Sequence, residues 1–163
     1  MKLFTANRFY LAKRRIEFRD EDDNLRFIAY INADLFKPCF IHIEDCENQN
    51  RICRLRQKML ELTFTMECKP RDSDEVTIRR SMRTMRPIYD IPELDWNVDS
   101  NPKNLRYTVY DDSDDTIAVF SVKKFGASLE IEYDEYISQY EYILGLSVMI
   151  QMDIENGSAY TVL

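Results

Sequence analysis

Glycine is nearly missing from this chain, with three in 163 residues. That scarcity leaves no Gly-rich phosphate cradle, no dinucleotide fingerprint and no nucleophile elbow, each of which needs several glycines at fixed spacing. Histidine is rarer still, a single His42. The four cysteines, Cys39, Cys46, Cys53 and Cys68, include no Cys-x-x-Cys pair, so the common zinc spacings are not met and the thiols read as free, without metal or cofactor. No run of about 18 uncharged apolar residues occurs, and the N-terminus lacks a signal-type apolar stretch. The expectation is a cytoplasmic protein that meets a membrane only at its surface. Gly/Ser-rich linkers are absent too, so residues 1–163 read as a single domain.

What remains is ordinary globular material, with 45% hydrophobic and 31% charged residues. A chain of this length buries about 68 to 70% of its unfolded surface, enough for a substantial core. The formal charge of -7 is unevenly spread. Residues 1–50 hold 8 basic and 9 acidic side chains, residues 51–86 hold 10 and 5, and residues 87–163 hold 4 and 15, so the three stretches carry -1, +5 and -11. Such a balance disfavours general nucleic-acid binding, which depends on Lys and Arg neutralising phosphates. It leaves room for one local basic surface.

Apolar residues alternate with polar ones along much of the chain, the period of strands with one face on a core. Leu60, Leu62, Phe64 and Met66 interleave with Glu61, Thr63, Thr65 and Glu67. Leu129, Ile131 and Tyr133 do the same with Glu130, Glu132 and Asp134, as do Ile16 and Phe18 with their arginine and glutamate neighbours. A unit of strand, acidic turn and strand recurs at residues 16–28, 40–52 and 107–119. Asp and Asn suit such turns because their side chains bond nearby backbone and tolerate left-handed conformations, which predicts antiparallel hairpins in a meander. Asp20, Asp22 and Asn24 also fall at alternate positions, as in a calcium loop. However, the loop glycine is missing and the position that needs a bidentate Glu is Ile31, so hairpin turns are the better reading. Pro87 and Pro92 cannot donate to a ladder and mark strand ends.

Near the end of the chain the pattern changes. Ser138 followed by Glu141 fits a capping box, Asn156-Gly157 offers a left-handed stop, and the helix between them is apolar on every side. Such a helix is enclosed by protein or inserted in lipid. Its uncharged run, Tyr142 to Met152, rises only about 16 Å against a hydrocarbon core of about 30 Å, so enclosure wins. Too few other helices exist for a bundle. The expected fold is therefore mainly β, a closed antiparallel barrel of about twelve strands around a buried C-terminal helix, because eight strands leave no room for a rod 10 to 12 Å wide.

Three segments, Arg86 to Val98, Arg106 to Lys124 and Leu129 to Glu132, together with the terminal apolar helix and the landmarks Trp96 and Lys123-Lys124, resemble the LURP-one-related proteins of the tubby-like superfamily. The resemblance covers nearly the whole chain and implies a twelve-stranded barrel wrapped round the C-terminal helix. It also implies a binding function without catalysis, since tubby proteins bind phosphoinositides at membranes and scramblases are relatives. The expectation is a chain without the long N-terminal extensions and cysteine-rich acylation segments of scramblases.

For a ligand, the best candidate surface is Arg79, Arg80, Arg83 and Arg86, joined by Arg54, Arg56 and Lys58, because guanidinium forks match phosphate oxygens. The competing reading is a solvated strand face. His42 is the one natural general base, yet it sits in a strand with no assigned nucleophile. Asp111, Asp112, Asp114 and Asp115 form no recognisable catalytic pair. Trp96, Tyr107, Tyr110 and Tyr133 read as core aromatics, and Met149 and Met152 as core filling. Two functions follow as expectations: a module that binds an anionic phospholipid at a basic barrel face, or a protein-interaction or structural module that works through its acidic hairpin ends.

Overall fold

The computed structural model describes residues 1–10, 13–32, 38–58, 64–83, 86–101, 105–123 and 128–155. Twelve strands succeed one another: β1 (Lys2–Tyr10), β2 (Lys13–Arg19), β3 (Leu25–Asn32), β4 (Phe40–Asp45), β5 (Asn50–Lys58), β6 (Phe64–Pro70), β7 (Val76–Arg83), β8 (Arg86–Ile91), β9 (Trp96–Asn101), β10 (Arg106–Tyr110), β11 (Thr116–Lys123) and β12 (Ser128–Tyr133). Each pairs antiparallel with its neighbours in sequence, and β1 closes on β12 through Lys2↔Glu132, Leu3↔Ile131 and Phe4↔Glu130. The result is the closed barrel expected from a helix that needs enclosing on every side. Closure also removes the free edges that would otherwise recruit other strands.

Acidic side chains shape the hairpins. At the β2–β3 turn the Asp20 carboxylate accepts the N–H groups of Asp22 and Asn24 at 3.0 and 2.9 Å, with Asp23 left-handed at φ 64°. The β10–β11 turn repeats this almost atom for atom, with Asp111 accepting from Ser113 and Asp115 at 2.9 Å and Asp114 at φ 62°. Asp45 does the same for Glu47 and Asn48 between β4 and β5. Asp20, Asp45 and Asp111 thus turn oxygens toward their own backbone. Among the described residues no three His, Cys, Asp or Glu gather where a metal ion could sit. Pro92 starts a one-turn 3-10 helix, Pro92–Leu94, that ends β8 as the proline rule requires.

The interior belongs to α1 (Tyr140–Glu155). Of its 16 residues, 12 are buried, and they cover all sides of the rod. Around it lie the inward residues of the strands: Leu3, Ile16, Phe18, Ile41, Ile43, Leu55, Met66, Ile78, Val109, Phe120, Leu129 and Ile131. Trp96 meets Tyr142 edge-on at 6.4 Å between ring centroids, and Phe27 meets Tyr140 at 6.0 Å, so both sides of the barrel grip the first turn of the helix. No described helix is long and apolar enough to cross a membrane. Gly145 is a point of close approach between the rod and the wall. A Cβ there would stand 2.9 Å from Cys68 Sγ and 3.4 Å from Leu55 Cδ2, so any larger residue would oblige the Cys68 side chain to shift.

At its entry the helix departs from the capping box. Ser138 is exposed and no hydrogen bond ties it to Glu141. One Glu141 oxygen is buried without a partner, and burial raises that carboxyl above its usual range. Asp134 sets the local turn instead, accepting the N–H of Tyr136 at 2.9 Å. The stop at Asn156-Gly157 and the strand positions Leu60 and Leu62 lie outside the described residues.

Toward its C-terminal end the lumen becomes polar. Thr5 donates to Gln151 at 2.9 Å and accepts the Leu129 N–H at 2.7 Å; Gln151 donates to Glu155, which pairs with Arg14. Asp153 is held by Arg80 at 2.5 Å and by the Tyr89 hydroxyl at 2.6 Å. These bonds tie β1, β2, β7, β8 and β12 to the last turns of the rod. They satisfy groups that would be costly in an apolar barrel.

Candidate functional site

The basic stretch 51–86 folds into β5, β6 and β7, which are neighbours in the barrel, so its charge gathers on one wall. Period two decides which side chains face outward. On β5, buried Cys53 and Leu55 alternate with exposed Arg54 and Arg56; on β4, buried Ile41 and Ile43 alternate with Phe40, His42 and Glu44. Register then aligns an outward row across four strands: Tyr30, His42, Arg54 and Lys69.

The predicted arginines divide on the same rule. Arg79 is exposed on the outer face, directly across from Asp90 on β8. Its neighbour Arg80 turns into the lumen to hold Asp153. Arg83 and Arg86 are cross-strand partners at the far ends of β7 and β8, and their side chains lie outside what the structure describes. Arg79 and Arg80 are therefore not on one surface. Arg56 lies 6.0 Å from the Phe40 ring, and Lys58 pairs with Glu67 at 3.5 Å.

A cleft opens where β5 begins and β6 ends. It encloses about 460 Å³ and is lined by Arg51, Arg54, Lys69 and Arg71, with Asn50, Ile52, Cys53 and Pro70 completing the wall. Among the described residues no carboxylate lines it. Among the described residues, Arg51, Arg54 and Arg71 have no acidic partner, while Lys69 donates to the Ser73 carbonyl at 2.8 Å. The cleft is braced by the Arg71 N–H donating to the Ile52 carbonyl at 2.8 Å, which carries β6 pairing past Pro70. Beneath it, Cys53 Sγ touches Cys68 Sγ at 3.3 Å, both buried; hydrogen bonding to Cys53 and burial push the Cys68 thiol well up, so it is inert toward ordinary electrophiles. All four cysteines are free.

His42 stands one strand away, stacked on Tyr30 with ring centroids 4.9 Å apart. Burial holds its imidazole below the usual range; Glu44, 3.4 Å away, pulls it up, and Arg51 pushes it down. Trp96, Tyr107 and Tyr133 are buried in the core, as is Met149. Arg51, Lys69 and Arg71 escaped the sequence reading, because what unites them is hairpin register and not adjacency. The one signal was the alternation around Cys53 and Leu55, which already sets Arg54 outward.

Comparison with known proteins returns nothing: no family model, curated protein or solved structure matches this chain. The site is therefore read from its own chemistry. Four cations converging on a concave surface without an acid present guanidinium forks and an ammonium to an anion, and phosphate is the group that best matches paired forks.

Proposed function

We propose that the barrel is a non-catalytic binding module, tubby-like in kind, whose cleft receives the phosphorylated headgroup of an anionic phospholipid. The observation that carries this reading is the convergence of Arg51, Arg54, Lys69 and Arg71 in a concavity that no carboxylate lines among the described residues. Three arginines left without acidic partners inside a chain of net charge -7 are poorly explained by solvation alone. On this reading the protein is cytoplasmic and peripheral to the membrane. The Arg79 to Arg86 run plays a lesser part: Arg79 stands four residues from Lys69 in register along β6, about 13 Å away, and Arg80 is committed to the helix.

Vesicle flotation tests the proposal. Phosphatidylcholine vesicles should leave the protein behind, and vesicles that also contain phosphatidylinositol bisphosphate should carry it up. Arg54→Glu with Arg71→Glu should abolish flotation, while Arg79→Glu should reduce it only slightly. Equal flotation of all forms, or none by the unaltered chain, overturns the reading. A second reading has its own observation. The Asp-rich turns Asp20–Asn24 and Asp111–Asp115 lie at one end of the barrel, since both follow strands that run in the same direction. They offer an acidic rim to a basic protein partner, and salt-sensitive capture of such a partner without any flotation would favour it.

A further inference from the structure

We infer that the outer wall of β3, β4 and β5 beside the cleft docks on the surface of an anionic bilayer, with Phe40 as the side chain that enters the interface. This rests on the headgroup reading above and adds to it the partner's surface and the protein's orientation. Phe40 is a large apolar side chain left 42% exposed on a strand whose alternate residues, Ile41 and Ile43, are buried in the core. It faces Arg56 across the β4–β5 ladder, and the guanidinium carbon sits 6.0 Å from the ring centroid. One register step along β4, the Tyr30–His42 stack adjoins Arg54 of the cleft. Aromatic rings beside cations form the arrangement that settles at the headgroup level, where the rings meet the acyl boundary and the cations meet phosphates. A guanidinium over a ring keeps its N–H edges free for such oxygens.

Charge complementarity selects the bilayer as occupant. The wall from β5 to β7 comes from the +5 stretch, whereas β11 and β12, halfway round the twelve-strand ring, come from the -11 stretch and carry Glu130 and Glu132 outward, where Lys2 and Lys123 pair with them and leave no basic surplus like that of the cleft. A barrel with this transverse polarity turns its β5 side toward an anionic surface and its β12 side away. Phe40 stands at the edge of the side that is turned inward.

Phe40→Trp provides the readout without a destabilising change, because the one native tryptophan, Trp96, is buried and contributes a constant background. On phosphatidylcholine vesicles containing phosphatidylinositol bisphosphate, the new emission should shift to the blue and be quenched by brominated acyl chains. On pure phosphatidylcholine, and with soluble inositol trisphosphate, it should do neither. Phe40→Ser should weaken vesicle partition about tenfold and leave calorimetric binding of inositol trisphosphate unchanged. Vesicle binding with no blue shift or quenching overturns the inference and spares the headgroup reading. A shift seen with single-stranded RNA, or one that grows with protein concentration in the absence of vesicles, assigns the surface to another occupant and also overturns it. If neither inositol trisphosphate nor vesicles bind the unaltered chain, the headgroup reading and this inference fall together.

Discussion

Arg79 and Arg80 are adjacent residues of one strand with opposite fates. Arg79 lies in the solvent-facing wall, where its charge is worth little to stability and is free for a ligand. Arg80 passes into the lumen, where a carboxylate from the last turn of the helix waits 2.5 Å away. The contrast separates two uses of the same side chain. On the β5–β6 wall, Arg51, Arg54 and Arg71 have no acidic partner among the described residues and build a surface; inside, Asp153 is matched by Arg80 and Tyr89, and the match ties down the end of the rod.

Perturbing each side in turn sharpens that contrast. The largest effect is expected for Leu146→Asp, which places a charge at a fully buried position on the apolar stretch of the helix, far from the Arg80 and Tyr89 that make Asp153 tolerable. A cost of about 4 kcal/mol or more should unfold the domain, read as loss of a cooperative thermal transition. Wild-type melting would show that the helix is not enclosed. Next comes Arg80→Ala, which leaves Asp153 buried with only the Tyr89 hydroxyl and should cost about 2 to 3 kcal/mol by urea titration. Arg79→Ala should stay within about 0.5 kcal/mol. Equal losses for the two would erase the distinction between the faces. Gly145→Ala should then cost about 1 to 2 kcal/mol, because its methyl would crowd the buried Cys68 sulfur and force that side chain to shift. Cys68→Ala in the same chain should recover part of that loss.

The smallest effect concerns pH, and here too the inside and outside of the barrel differ in sign. Burial pushes Glu17 up, but hydrogen bonds and charge from Arg19 and Arg15 outweigh it and hold the carboxyl below its usual range. Its stabilising contribution is therefore present above the unfolded carboxylate range, about pH 4.3, and is lost as pH falls through the lower folded value. Asp153 goes the other way: burial raises it despite Tyr89 and Arg80, so the native state keeps that proton longer than the unfolded chain, and the ionised form erodes stability as pH rises. Glu17→Gln should accordingly flatten the decline in melting temperature below about pH 4.5. An unchanged acid limb would place that slope on other carboxyls.

Much of the architecture was legible because it rests on period and exclusion. Ile16 and Phe18, or Leu129 and Ile131, declare their inward face by alternation, and a rod apolar on all sides leaves few ways to be covered. The Asp-led turns were equally readable, since Asp20, Asp45 and Asp111 act within a few residues of themselves. The polar end of the lumen was not. Arg80 finds Asp153 across 73 positions and Thr5 finds Gln151 across 146, distances at which no local pattern speaks. The basic cleft was hidden for the same reason: a run of arginines such as Arg79-Arg80 catches the eye, yet a strand sends neighbours apart, and the residues that do meet, Arg54 and Lys69, meet through cross-strand register. The capping box misled because Ser138 follows a turn organised by Asp134, and α1 starts only at Tyr140.

Because the rod that fills the barrel follows all twelve strands in the sequence, and the seam joins β1 to β12, synthesis order and folding order conflict. A growing chain exposes a dozen strands with nothing to wrap until residues near 155 leave the ribosome. Helper proteins that shield greasy strands should matter while it is being made, and a premature stop anywhere upstream of the helix should yield aggregate and not a smaller working protein.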